Sequence, residues 1–370
     1  MIVNVYGTVL AATKLSRSVD GDRPTGADFI DIRALAAHLN LSIGTVSRAL
    51  NGQADVSAAT RARVTEAAQA LGYSPNQAGR SLRRKRTSTV AFILPLAPDS
   101  IMFGDPFFLA VLAGVQTVIE AAGLELVVLL ARAEQDALAV LQRHLSRGIA
   151  DAWILAATGR DDARIALLAS RGAPFVTLGR SGVVADYPSI DLDFEGMVDV
   201  AMAQFLAAGH ERIAIITSGP NVNFSHIVTA RYEAALRNAG LAVDPDLIHV
   251  GRVNVAQCAA ATTAFLALER RPTAIFVMSE AGPVGVYASL RAVGLAPGRD
   301  MAVIGQRMTP ACAALDPALA CFEVALGDLG EALGRTLLSI MKGAENADQA
   351  EPRLWPMTWV PGGSVGSPGS

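Results

Sequence analysis

From residue 89 onward, short apolar runs alternate with longer amphipathic stretches, and that rhythm admits few folds. The runs are TVAFILPL at 89–96, LELVVLLA at 124–131, DAWILAA at 151–157 and APFVTLG at 173–179. The pattern resumes with ERIAIITSG at 211–219, LIHVG at 247–251, PTAIFVMS at 272–279 and MAVIG at 301–305. Helical patterns lie between them, among them 108–122, 195–208 and 228–239. A strand that is apolar at every position is buried on both faces, and strands spaced by helices join parallel sheets in βαβ units. About ten such strands exceed one small α/β unit, which predicts two parallel-sheet lobes side by side.

The region before residue 89 obeys a different rule. Asp31 is placed to cap a helix in which Ile32, Leu35 and Leu39 share a face, and Asn40 suits the left-handed stop. Ser42 can cap a second helix, with Val46 and Leu50 four apart, that ends at Asn51-Gly52. Ser57 can cap a third, striped by Val64, Ala67, Ala68 and Leu71 and closed by Gly72. Two short helices joined by a tight turn suit a helix-turn-helix, whose second helix enters a DNA major groove. Ser42, Gly44, Thr45 and Ser47 are small enough for close approach to phosphates, and Arg48 has the fork that matches guanine O6 and N7. An ordinary helical hairpin shows the same periodicity. Periodicity alone leaves both readings open. Residues 28–86 carry nine basic and four acidic residues, a net +5, in a chain of net charge −3. A small basic segment on an acidic body points to a nucleic-acid module.

Composition excludes other classes. Of the 370 residues, 51% are apolar types and 18% charged, as in a globular chain. No apolar run reaches the roughly 18 residues of a membrane span. Cys258, Cys312 and Cys321 fall in no CxxC or Cys/His spacing, so no disulfide framework, structural zinc site or other metal is expected. The apolar stretch in MIVNVYGTVLAATKLSRS has no basic residue before it and is broken by Lys14, which makes a poor export signal and predicts a cytoplasmic protein. GxGxxG and HExxH are absent, and no enzyme activity or cofactor is expected. Residues 1–27 read as a flexible extension and residues 363–370 as a disordered tail.

The run IRALAAHLNLSIGTVSRALNG, followed by VSAATRARVTEAAQALGYSPNQAGRSLRRKRTSTVAFILP, closely resembles the LacI/GalR family of transcription regulators. GDPFF at 104–108, GHERIAII at 209–216, ARYEAALRNAGL at 230–241 and ALGDLGEALGRTLL at 325–338 extend the resemblance over about residues 29 to 362. It implies an all-α helix-turn-helix headpiece at 28–74, a hinge helix and linker at 75–87, and a core at 88–362. The core would be an α/β, two-lobed unit like periplasmic sugar-binding proteins, with two Rossmann-like subdomains. The implied function is a repressor of carbohydrate uptake or catabolism genes. It would bind pseudo-palindromic double-stranded operator DNA as a homodimer and respond to a carbohydrate effector held between the lobes. An alternative with the same core is a solute-binding protein without a DNA role; the helix-turn-helix argues against it.

Residue by residue, the resemblance implies DNA contacts by Ser42, Ile43, Gly44, Thr45, Ser47, Arg48, Asn76, Leu82, Arg83 and Arg84. Leu82, an isolated large apolar residue in a basic connector, matches the family's minor-groove wedge. Gly79 stands where alanine is usual and weakens an isolated hinge helix by about 1 kcal/mol. Effector contacts are implied for Asp105, Phe107, Phe108, Arg180, Asp193, Asn223, Phe224, His226, Ser279, Glu280 and Arg307. Several have plainer readings: Asp193 as a helix cap, Glu280 as a helix N-terminal charge, Arg307 as the ionic partner of a neighbour such as Glu280. Arg307 stands where many members carry a sugar-binding aspartate. A guanidinium only donates, and its fork fits carboxylate, sulfate or phosphate oxygens, so an anion-bearing carbohydrate is expected, with a neutral oligosaccharide as its rival.

Overall fold

The structure, a computed structural model, describes residues 31–50, 52–73, 87–96, 106–132, 136–182, 187–219, 221–343 and 353–368. The chain divides into two compact units, residues 1–80 and 81–370.

The first unit holds three helices, α1 (Ile32–Leu39), α2 (Ile43–Leu50) and α3 (Ala58–Ala70). Each starts as its polar residues dictate. The Asp31 carboxylate accepts from the Ala34 N–H at 2.8 Å, Ser42 Oγ from Thr45 N–H at 3.0 Å, and Ser57 Oγ from Thr60 N–H at 3.2 Å. Asn40 takes the left-handed conformation (φ 55°) that stops α1. Leu35, Val46 and Val64, one from each helix, are fully buried together and form the centre of a small core with Ala36, Ala49, Val56 and Ala68.

The second unit is two lobes built on parallel sheets. In the first lobe, β1 (Thr89–Leu96), β2 (Glu125–Arg132), β3 (Ala152–Ala156), β4 (Phe175–Leu178) and β5 (Ser189–Leu192) alternate with α4 (Pro106–Ala121), α5 (Ala137–Ser146) and α6 (Ala163–Ser170). The second lobe contains α7 (Phe194–Ala207), β6 (Ile213–Ser218), α8 (Asn223–Asn238), β7 (Ile248–Gly251), α9 (Val255–Leu266), β8 (Ala274–Val277), α10 (Gly282–Ala292) and β9 (Ala302–Gly305). Three short strands and one long helix follow: β10 (Cys321–Glu323), α11 (Leu326–Met341), β11 (Arg353–Trp355) and β12 (Thr358–Val360). Strand orders are β11-β5-β4-β3-β1-β2 and β7-β6-β8-β9, with every pairing parallel; β10 and β12 form an antiparallel pair.

The chain therefore crosses between lobes three times, after β5, after β10 and after β11. Helix α11 returns to the first lobe and lies along α4 at a distance only glycine allows: a Cβ on Gly114 would stand 2.1 Å from the Gly327 carbonyl oxygen, and one on Gly330 2.1 Å from that of Val111. Side chains from both lobes, among them Phe92, Phe205, Tyr232, Phe276 and Phe322, belong to one continuous buried cluster.

Three features depart from the sequence reading. SIDL at 189–192 is a further strand, β5, which the apolar runs read from the sequence did not include. Strands β10, β11 and β12 were not anticipated. The tail is ordered over residues 363–368: Ser364 is fully buried, its Oγ donating to the Val303 carbonyl at 2.6 Å and accepting from the Ala320 N–H at 2.8 Å, and the Gly366 carbonyl lies 2.7 Å from His210 Nε2. Glycines here are not a sign of disorder; they let backbone pack on backbone. Gly362 to Gly366 also has the GxSxG spacing of a nucleophile elbow, but its serine serves two main-chain groups inside the second lobe. Ser364→Ala should lower core stability by about 1–3 kcal/mol, because it strands a buried N–H and a buried carbonyl. Chemical denaturation of the full chain measures it, and an unchanged midpoint would show the tail to be energetically idle.

Candidate nucleic-acid interface and effector cleft

In the first unit, α2 presents the residues expected to meet DNA. Ile43 is close to half exposed at its N-terminus, and among the described residues a Cβ on Gly44 would meet only the Ser42 hydroxyl, at 3.7 Å, apart from the helix's own backbone. The Ser42 and Thr45 hydroxyls are 2.8 Å apart, so the cap also orients Thr45. Arg48 Nε lies 3.3 Å from Asp55 Oδ2, with both side chains more than half exposed. Such an ion pair is worth little in water and is easily exchanged for a base or phosphate. The loop carrying Asp55 is pinned by Arg61, whose Nη2 donates to the Gln53 carbonyl at 2.9 Å and the Val56 carbonyl at 3.3 Å. Sequence reasoning missed Asp55 and Arg61; nothing local marks a contact eight residues away. Asn76, Leu82, Arg83 and Arg84 lie outside the described residues, as does Gly79.

In the second unit, the candidate effector residues gather where parallel-sheet folds place ligands, at the carboxyl ends of strands. Phe107 and Phe108 begin α4 after β1, Arg180 follows β4, Asn223 begins α8 after β6, Glu280 follows β8, and Arg307 follows β9. Asp105 lies outside the described residues.

Two arginine centres dominate. Arg307, 8% exposed, donates from Nε to Glu280 Oε1 at 2.9 Å, and its Nη2 stands 2.6 Å from the same oxygen. Nη2 is buried, and among the described residues no acceptor is aligned on its N–H groups, so its hold on Glu280 is ionic rather than a well-aligned hydrogen bond. The guanidinium carbon lies 5.7 Å from the ring centre of Phe107, which belongs to the other lobe. Phe107 in turn meets Phe108 edge to face at 5.1 Å.

Arg180 forms the second centre. Its Nε is 3.3 Å from Asp191 Oδ2, its Nη2 bonds Glu195 Oε1, and its carbonyl accepts from Thr158 Oγ1 at 3.0 Å and from Asn223 Nδ2 at 2.9 Å. Asp191, Glu195 and Thr158 were missed, although an aspartate inside an otherwise buried strand is a readable signal. Burial pushes the Asp191 carboxyl up to about 7, against the opposing pull of Arg180.

Other expected ligand residues also bond or pack against the scaffold. The Asp193 carboxylate caps α7 on the Gly196 N–H at 2.9 Å. Ser279 Oγ donates to the Val253 carbonyl and accepts from the Gly282 N–H at 3.1 Å. Phe224 stacks on Phe194 with ring centres 5.2 Å apart, and the Asn223 amide spans to the Arg180 carbonyl. His226 is half-buried in the first turn of α8. Among the described residues no cluster of His, Cys, Asp or Glu could hold a metal ion, and no helix is long and apolar enough to cross a membrane.

The Asp191 environment has a measurable sign. An ordinary aspartate titrates near 3.8 and this one near 7, so the folded state retains a proton that the unfolded chain releases. Its contribution is fully present below about pH 4 and is lost as pH rises to 7. Asp191→Asn should flatten that dependence, narrowing the stability difference between pH 5 and pH 8 by on the order of 2 kcal/mol. Urea denaturation at the two pH values checks it; parallel profiles for both proteins would show that Asp191 does not titrate there.

Residues 32–76 match the family described as "Bacterial regulatory proteins, lacI family", and residues 202–365 match "Periplasmic binding protein-like domain". The chain is similar to the HTH-type transcriptional regulator AglR of Rhizobium meliloti, 34% identical over 280 residues that cover 74% of this chain and 77% of that protein. It is similar to CelR of Thermobifida fusca, 29% identical over 317 residues, 84% and 92% of the two chains. Among solved structures, the transcriptional regulator CelR–cellobiose complex superposes with a TM-score of 0.68 at 26% identity, over 92% of this chain and all of that one. The lac repressor dimer bound to operator and the anti-inducer ONPF shares the fold, with a TM-score of 0.80 at 20% identity over 92% of this chain and 100% of that one. Headpiece caps, twin parallel sheets and these relatives agree: the chain belongs to the lacI family of bacterial regulatory proteins and is a DNA-binding regulator of transcription.

Proposed function

We propose that this regulator represses genes of carbohydrate uptake or catabolism in the cytoplasm and releases or tightens its operator when a neutral carbohydrate binds between the lobes. The observation that carries the effector class is the pairing of both cleft arginines. The sequence favoured an anion because Arg307 replaces an aspartate. In the structure its charge is balanced by Glu280, and Arg180 is balanced by Asp191 and Glu195. A site whose cations already hold carboxylates gives an anion little net attraction. Paired guanidinium and carboxylate groups beside an aromatic ring offer donors, acceptors and an apolar face, which together suit a sugar's hydroxyls and ring. The CelR structure, which holds cellobiose, supports a sugar in this fold.

A homodimer is supported by edge strand β2, whose Val127, Val128 and Leu130 are exposed in this chain. An apolar sheet edge of that kind is normally covered, and a two-fold pair of headpieces matches a pseudo-palindromic operator.

Two experiments test the reading. Binding titrations with single-base operator variants should show that Arg48→Ala loses roughly 1–3 kcal/mol of discrimination at one base pair. Uniform weakening at all sites would remove its base-reading role. Calorimetry of the full chain with hexoses and disaccharides, each beside its uronic acid, should find the neutral member bound more tightly, with Arg307→Gln weakening it about tenfold. Preference for the uronic acid would restore the anionic effector, and heat from neither would remove the carbohydrate.

A further inference from the structure

We propose that Arg307 and Phe107 form a clasp between the two lobes, so that a ligand must part them to enter. Phe107 stands in the first turn of α4 in the first lobe, and Arg307 follows β9 in the second. They do not belong to the crossovers that join the lobes covalently. Their contact, 5.7 Å from guanidinium carbon to ring centre, is therefore a separate tie across the cleft.

Three features make the tie effective. Arg307 is nearly buried, and a cation over an aromatic face gains strength as water is removed. Glu280 fixes the guanidinium through Nε, so the planar group is held in place and not free to swing with its stem. Phe107 is braced edge-on by Phe108, and both pack against the continuous core.

The chemistry also explains how the clasp would open. The ring face covered by Arg307 is the face on which a sugar's apolar side would stack, and Nη2, held to Glu280 by charge, has no acceptor aligned on its N–H groups among the described residues. A ring inserted between the two would take over the aromatic face and supply oxygens to those donors while Glu280 keeps its hold. The specificity rule follows: a ligand needs both an apolar ring face and an outward acceptor oxygen, since either alone leaves one half of the clasp worse off. This last step rests on the cleft being the effector site; the clasp itself does not.

Amide hydrogen exchange of the full chain without added ligand tests the clasp. Arg307→Gln and Phe107→Leu should each speed exchange about tenfold in both segments, 106–112 and 306–309, although each substitution lies in only one lobe. Phe107→Tyr, which keeps the ring, should retain protection in both. If Arg307→Gln speeds only 306–309, or Phe107→Leu only 106–112, each side chain serves its own lobe and the clasp is overturned. Loss of protection in Phe107→Tyr equal to that in Phe107→Leu overturns it as well. Failure of every sugar to bind in calorimetry would remove the effector reading and leave this result standing.

Discussion

Parallel pairing is the constraint on which the rest of the core depends. Every strand of the two main sheets runs the same way as its neighbours, so each strand must be followed by a return segment on the face of its sheet. All the strand-to-helix turns of a lobe then emerge at one end. The chain passes between the lobes at three places, after β5, β10 and β11, and brings two such ends together. Phe107, Arg180, Asn223, Glu280 and Arg307 come from five different turns spread over 200 residues of sequence. Their proximity is a consequence of topology, not of any local motif.

Charge in this cleft is arranged in closed groups. Arg307 with Glu280, and Arg180 with Asp191 and Glu195, put donors and acceptors side by side while leaving little net charge to hold an ion. The cost of burying these groups appears at Asp191, whose proton is retained to about neutrality. Asp193, Ser279 and Asn223 likewise bond backbone groups at helix starts and across the lobes. Replacing a partnered side chain in such a group leaves its neighbour without that partner, which conservative exchanges such as Arg to Gln or Asp to Asn keep to a minimum.

The headpiece is simpler because its determinants are local. Asp31, Ser42 and Ser57 stand immediately before the helices they cap, Asn40 adopts the left-handed stop, and one large residue per helix meets at the centre. A core of that size leaves the outer face of α2 free of structural duty. Ile43 and Arg48 are exposed there without loss to the fold, and among the described residues Arg48 meets a weak surface partner in Asp55.

What the sequence determined by itself was everything that depends on near neighbours. The period of the apolar residues set the eight principal strands and the main helices to within a few positions, the caps set the headpiece, and the TVSRALNG and LGYSPN motifs, through the family they resemble, set the class of function. Tertiary structure decided what depends on distant partners. Strand β11 pairs with β5 across more than 150 residues, β10 and β12 are only three residues each, and the glycine-rich tail is held by Val303, Ala320 and His210. A local pattern cannot report such pairings, because the energy that orders these segments comes from groups elsewhere in the chain. The same reason separates the two readings of Arg307: its charge and fork were legible, but whether that charge was spent was decided by Glu280, 27 residues away in sequence and 2.9 Å away in space.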